Sequence, residues 1–164
     1  MSFILISAIL LILCGCQTSE GSDGNTIIFY YRQADYTHSP NLNVIVGEER
    51  TLSGGRDNLS FLLTLYLLGP LDDKLVSPLP PTAFVESILR EDNSITITLS
   101  SMDSYLSDSE FTVASACLAE TILGLTQCEY VTICSGQRTI TLDTTNTLAK
   151  DNVSPAENTT EATQ

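Results

Sequence analysis

Residues 62–100 read LLTLYLLGPLDDKLVSPLPPTAFVESILREDNSITITLS, and the fold is decided here. A helical leucine pattern runs into Gly69-Pro70. The helix must stop there, because proline has no backbone N–H to donate and restricts the residue before it. A proline-rich connector follows, Ser77-Pro78-Leu79-Pro80-Pro81, and then two short strand patterns, Phe84–Arg90 and Ile95–Leu99. Glu91-Asp92-Asn93 between them, leading into Ser94, is hairpin-turn chemistry. Nothing in the stretch has the character of a catalytic group; it specifies shape.

Working upstream, Leu59, Leu62, Leu63, Tyr66 and Leu67 fall on one helical face, with Asp57 as the expected N-cap. Phe61, Leu65 and Leu68 lie off that stripe, so the helix is apolar over most of its girth. Such a helix is either well covered or touches a partner. Thr26–Tyr31 (TIIFYY) and Asn43–Arg50 (NVIVGEER) read as strands, separated by a loop over Gln33–Asn43 and followed by a turn at Ser53-Gly54-Gly55.

Downstream, Ile95, Ile97 and Leu99 alternate with Thr96 and Thr98, which buries one face of that strand. Ser107-Asp108-Ser109-Glu110 fits a capping box, Ser107 capping and Glu110 reaching back. It opens a second helix with Phe111, Ala114, Leu118, Ile122 and Leu125 at helical spacing. Tyr130–Cys134 is a short strand, Ser135-Gly136 a turn, and Arg138–Leu142 alternates again. The order strand, strand, helix, strand, strand, helix, strand, strand predicts an α+β two-layer sandwich, a mixed sheet with two helices on one face.

The N-terminus carries a different message. Residues 3–13, FILISAILLIL, are too short to span a bilayer, which takes about 20 residues, and have the length of a signal-peptide apolar region. The run ends in Leu13-Cys14-Gly15-Cys16, which resembles a bacterial lipobox. The resemblance implies a lipoprotein signal peptide over 1–15 and a diacylglyceryl group on the Cys16 sulfur, with the mature chain held by lipid on the extracytoplasmic face of the cell membrane. A membrane-spanning anchor and cleavage without lipidation are the rival readings. Met1-Ser2-Phe3 departs from the usual pattern in having no Lys or Arg. Residues 16–25, rich in Gly, Ser and polar side chains, read as a flexible tether. After Asp143 the chain offers almost nothing apolar to bury, and 144–164 is expected to be a disordered polar tail.

Charge narrows the function classes. Seven Lys and Arg against 20 Asp and Glu give a net charge of −13. A nucleic-acid partner needs a basic footprint, and this chain has none. Of the five cysteines, Cys117, Cys128 and Cys134 lie in the body at spacings that match no C-x-x-C metal or redox motif. They read as small apolar residues, with a disulfide between two of them as the alternative for an exported chain. The one histidine, His38, sits in a loop beside Ser39-Pro40, and Asp72-Asp73 read as a solvated turn. There is no serine-hydrolase elbow, zinc-peptidase motif or phosphate loop. No enzyme activity, metal or cofactor is expected, and no small-molecule substrate. Asn58, Asn152 and Asn158 stand in N-x-S/T triplets that read as chance matches.

Several stretches together resemble the GerMN domain of bacterial sporulation and germination proteins. They are the Leu-rich helix ending in Gly-Pro (Leu62–Pro70), the proline loop Ser77–Thr82, the alternating strand Ile95–Ser100, the helix segment Ala119-Glu120-Thr121-Ile122-Leu123, and the strand Val131–Gly136. Tyr30-Tyr31 and Glu48-Glu49-Arg50 also fit, and the resemblance covers roughly 26–143. It implies a non-enzymatic, extracytoplasmic protein of spore-forming Gram-positive bacteria, similar to the ring-building modules of secretion-type assemblies and acting by protein–protein contact. The expectation is therefore a lipid-anchored assembly module whose partner is a protein of the cell or spore envelope. Cys16 is the expected lipidation site, and Phe61, Leu65 and Leu68, with the connector Leu79–Phe84, are the candidate partner-contact residues. An extracytoplasmic ligand-binding or sensor lipoprotein is the alternative.

Overall fold

Alternation in the sequence becomes alternation in burial. In the computed structural model, which describes residues 26–35 and 44–145, the first strand β1 (Thr26–Gln33) buries Ile27, Phe29 and Tyr31 and turns Ile28 and Tyr30 to the other face, where Ile28 is exposed and Tyr30 packs half-buried against Ile45, Ala116 and Cys117. The stretches expected to be a signal peptide (1–15) and a tether (16–25), with Cys16, as well as His38 and residues 146–164 of the expected tail, lie outside the described residues.

The remaining elements are β2 (Ile45–Thr51), α1 (Leu59–Leu67), β3 (Leu75–Val76), β4 (Val85–Glu91), β5 (Ser94–Leu99), α2 (Asp108–Leu125), β6 (Tyr130–Ser135) and β7 (Arg138–Asp143). The class is α+β as expected, but the strands divide into two sheets instead of joining one. A three-stranded antiparallel sheet has the order β2-β1-β3, and a four-stranded mixed sheet the order β4-β5-β6-β7. β3 escaped the sequence reading because it is two residues long, too short for a period to show; it pairs Arg32 with Val76 and Gln33 with Leu75. In the mixed sheet β5 and β6 run parallel, Ile95 opposite Val131 and Ile97 opposite Ile133, with α2 as the crossover between them.

α2 lies against β1 on the side away from β2. Its residues from Ala114 to Ile122 are buried without a break, which requires cover on several sides. Ala114, Ser115, Ala116, Cys117 and Ala119 are small enough for β1 to approach closely. The Thr121 hydroxyl accepts the backbone N–H of Tyr30 at 2.9 Å and donates to the Cys117 carbonyl at 2.9 Å. β3 covers β1 only at its C-terminal end, and the helix closes the same edge further back, where another strand would otherwise add.

The main apolar core joins both sheets and both helices, and a smaller cluster of Ile45, Ala116 and Cys117 lies apart from it. The main core holds Phe29 and Tyr31 of β1, Leu62 and Tyr66 of α1, Ile97 of β5, Phe111 and Leu118 of α2 and Ile133 of β6. Tyr31 and Tyr66 stack with ring centres 4.9 Å apart, and Phe29 meets both edge-on. Each tyrosine hydroxyl is satisfied across the stack: Tyr31 donates to the Tyr66 carbonyl and Tyr66 to the Tyr30 carbonyl, both at 3.0 Å. Burial pushes the Tyr31 hydroxyl up to about 12 and that of Tyr66 well above its ordinary value, so both remain neutral donors.

Three local expectations are corrected. The cap of α1 is Asn58, not Asp57: its side chain accepts the Phe61 N–H at 3.0 Å. This also gives Asn58, read as a chance N-x-S/T match, a structural role. β2 begins at Ile45 and extends to Thr51. Ser135 is the last residue of β6, not part of the turn, and its buried hydroxyl accepts the Met102 N–H at 3.0 Å and donates to the Ser100 carbonyl at 2.9 Å. The turn is Gly136-Gln137. The expected capping box at Ser107 and Glu110 is present in full.

Candidate functional site

The outward side of α1 begins from its composition. From Asn58 to Leu71 the chain carries no charged residue, in a protein whose formal charge is −13. Of the expected inner stripe, Leu59, Leu62, Leu63 and Tyr66 are buried as their spacing predicts, and Leu67 is only half-buried. The other side is left with Phe61 at 42%, Leu68 at 78% and Leu71 at 82% exposure. Leu65 differs from its two companions: it is half-buried and packs against the core. Of the three residues singled out by pattern, the structure thus places Phe61 and Leu68 at the surface and Leu65 at the boundary.

Phe61 is held in place from below. Gly55 has φ +80°, and a Cβ there would come within 2.7 Å of the Phe61 ring. The position needs glycine twice over, for the left-handed backbone and for the close approach. The ring is therefore set against the Gly54-Gly55 turn.

The C-terminal end of the same surface is fixed by a pair from β2. Arg50 donates to the Gly69 carbonyl at 2.7 Å and to the Tyr31 hydroxyl at 3.3 Å, and forms an ion pair with Glu48. The second Glu48 oxygen accepts the backbone N–H groups of Leu71 and Asp72, at 2.8 and 2.9 Å. The Arg50 guanidinium also lies 5.0 Å from the centre of the Phe29 ring. Glu48 and Arg50 together supply partners to the chain on both sides of Pro70, just where the helix ends and its backbone groups are left over. Burial works against charge on Glu48, but the Asp72 N–H, the Arg50 side chain and the Leu71 N–H outweigh it and hold the carboxyl below its usual value.

This clamp was missed by sequence reasoning, which noted Glu48-Glu49-Arg50 only as part of a resemblance. A signal existed: Glu48 and Arg50 stand two apart on one strand and so share a face, and arginine is scarce in this chain.

The connector forms a second feature. Leu79 is 5% exposed and anchors it, while Phe84 at its end is 57% exposed. Pro78, Pro80 and Pro81 line one wall of a cleft of about 490 Å³, with Tyr105, Arg32 and Glu110 among the residues opposite. Asp72-Asp73 form no carboxylate pair across a cleft; Asp72 accepts the Lys74 N–H in a local turn. Cys117, Cys128 and Cys134 are all free thiols, Cys117 buried and the other two half-exposed, so the disulfide alternative is not realised. Burial pushes the Cys117 thiol up to about 12, which leaves it unreactive. No described helix is long and apolar enough to cross a membrane. Among the described residues no cluster of three His, Cys, Asp or Glu side chains is arranged to hold a metal ion.

No family model matches the chain, and no curated protein matches it. Among solved structures, a candidate lipoprotein from Clostridium perfringens is similar, at 20% sequence identity and a TM-score of 0.36, with 69% of this chain and 75% of that chain covered. A likeness this loose carries no argument about function.

Proposed function

We propose that this protein is a non-enzymatic lipoprotein, anchored through Cys16 on the extracytoplasmic face of the cell membrane, and that its domain acts by binding another protein of the cell or spore envelope. The observation that carries the contact is the uncharged outer side of α1, where Phe61, Leu68 and Leu71 stand exposed on a rigidly fixed element. Scattered surface leucines need no explanation. Here they share one helix face and its continuation, without a charge among them, and the Glu48–Arg50 clamp and Gly55 hold both ends of that face in place. The lipid anchor rests on the lipobox-like Leu13-Cys14-Gly15-Cys16, and the GerMN assignment on the motif resemblance described above.

The test uses the full chain in a Gram-positive host. Cross-linking in intact cells is expected to give a discrete adduct to an envelope protein. Leu68→Glu should remove it while leaving the thermal unfolding of the purified protein unchanged, since Leu68 is 78% exposed. An adduct that survives Leu68→Glu and Phe61→Glu rejects this face as the contact. Leu65 is unsuited to the test, because a charge there perturbs the core as well.

A further inference from the structure

Open sheet edges pair with other chains unless something prevents it, and proteins blunt them with bulges, charges, short strands or a covering element. Each edge in this fold except one is treated in such a way. β3 is two residues long, and the remainder of that side of β1 is closed by α2. β2 carries Glu48, Glu49 and Arg50 in sequence. β4 has a register shift between Val85 and Ser87 and carries Glu86, Arg90 and Glu91. β7 has no bulge and no proline, and Thr139-Ile140-Thr141-Leu142 is uncharged.

The backbone of β7 also has its free groups in a defined place. Gly136 has φ +58° and stands first in the two-residue turn between Ser135 and Arg138, as a type II′ hairpin requires. A two-residue hairpin closes on a hydrogen-bonded pair, here Ser135 and Arg138, and the pairing then alternates. Ile140 and Leu142 face β6 with their N–H and C=O groups, and those of Thr139 and Thr141 point away from it. Both threonines are exposed.

We propose that this edge is a self-association site, and that its occupant is β7 of a second copy of this chain, antiparallel about a two-fold axis at Thr141. The strand is its own complement in that register. On the open side of the sheet Thr141 faces Thr141 and Thr139 faces Asp143, and Ile140 faces Leu142 on the core side, so hydroxyls meet a hydroxyl or a carboxylate and apolar meets apolar. Placing the axis between two residues would oppose side chains from different faces, which antiparallel pairing forbids, and an axis at Ile140 would set the charged Arg138 against Leu142. Charge favours the same choice. Two copies at −13 repel over most of their surface, and the uncharged run Thr139–Leu142 is where they can meet at least cost. The product is a closed pair with one continuous eight-stranded sheet, an isologous contact that does not propagate. This is independent of the α1 face and of the lipid anchor.

Analytical ultracentrifugation of the full chain in detergent tests it, with amide exchange on the same samples. Wild type is expected to sediment as a dimer that dissociates on dilution, with the Thr141 N–H protected only in the dimer. Thr141→Lys keeps the backbone and adds a charge at the axis, and Thr141→Pro removes the N–H that β6 does not use. Both should halve the protein mass, with Thr141→Lys retaining the wild-type circular dichroism. A wild-type monomer overturns the proposal, including one whose Thr141 N–H is protected at every dilution because residues 146–164 occupy the edge. A dimer that persists in Thr141→Lys overturns it equally.

Discussion

Glu48 is the residue on which the end of α1 depends, and its effect is measurable as a pH dependence. Its carboxyl is held below the usual glutamate value in the folded state. A depressed carboxylate contributes stability above its unfolded pKa, and that contribution is lost as pH falls through the folded value. The domain should therefore lose thermal stability as pH drops below about 4.3, the ordinary glutamate value, and Glu48→Gln should flatten this acid limb. Near neutral pH Glu48→Gln removes the ion-pair partner of Arg50, which keeps the Gly69 carbonyl and the Tyr31 hydroxyl, and should cost about 1–2 kcal/mol. Equal acid limbs in both proteins would remove Glu48 from the account. Thr121 gives a second test at this scale. Thr121→Val keeps the shape but strands the Tyr30 N–H, at a cost of about 1–3 kcal/mol in denaturant unfolding, while Thr121→Ser should stay near wild type.

Among the elements, α1 shows what could be read in advance and what could not. The stripe Leu59, Leu62, Leu63 and Tyr66 was legible because burial on one helix face leaves a 3.6-residue period. Leu62→Ala should accordingly cost about 2–5 kcal/mol, against no loss for Leu68→Glu. The different fates of Leu65 and Leu68 left no trace in the period, because they depend on which neighbours happen to reach that side. Asn58 and Asp57 are both good capping residues, and only the backbone path from Gly55 chooses between them. In α2 the capping box Ser107–Glu110 was legible as a local motif, and Ser107→Ala should cost about 1 kcal/mol. The unbroken burial of Ala114–Ile122 was not, since small residues look neutral until a strand is found lying against them.

For the whole molecule, the α+β class followed from the order of the elements, but the partition into two sheets did not. At the edge of β1 the Tyr30 N–H is taken by Thr121, 91 residues away in the chain, and no local pattern encodes such a contact. The clamp on Gly69-Pro70 is likewise a contact between β2 and the end of α1 rather than a motif. The function proposed for the molecule joins two separate parts, an anchor at Cys16 and a domain that presents an uncharged helix face. The measurement that tests the joint claim most directly is the intact mass of the native protein extracted from membranes of a Gram-positive host. The account predicts a chain that begins at Cys16 and carries a diacylglyceryl group, which Cys16→Ser removes. A chain that retains residues 1–15, or one cut there without lipid, would contradict it.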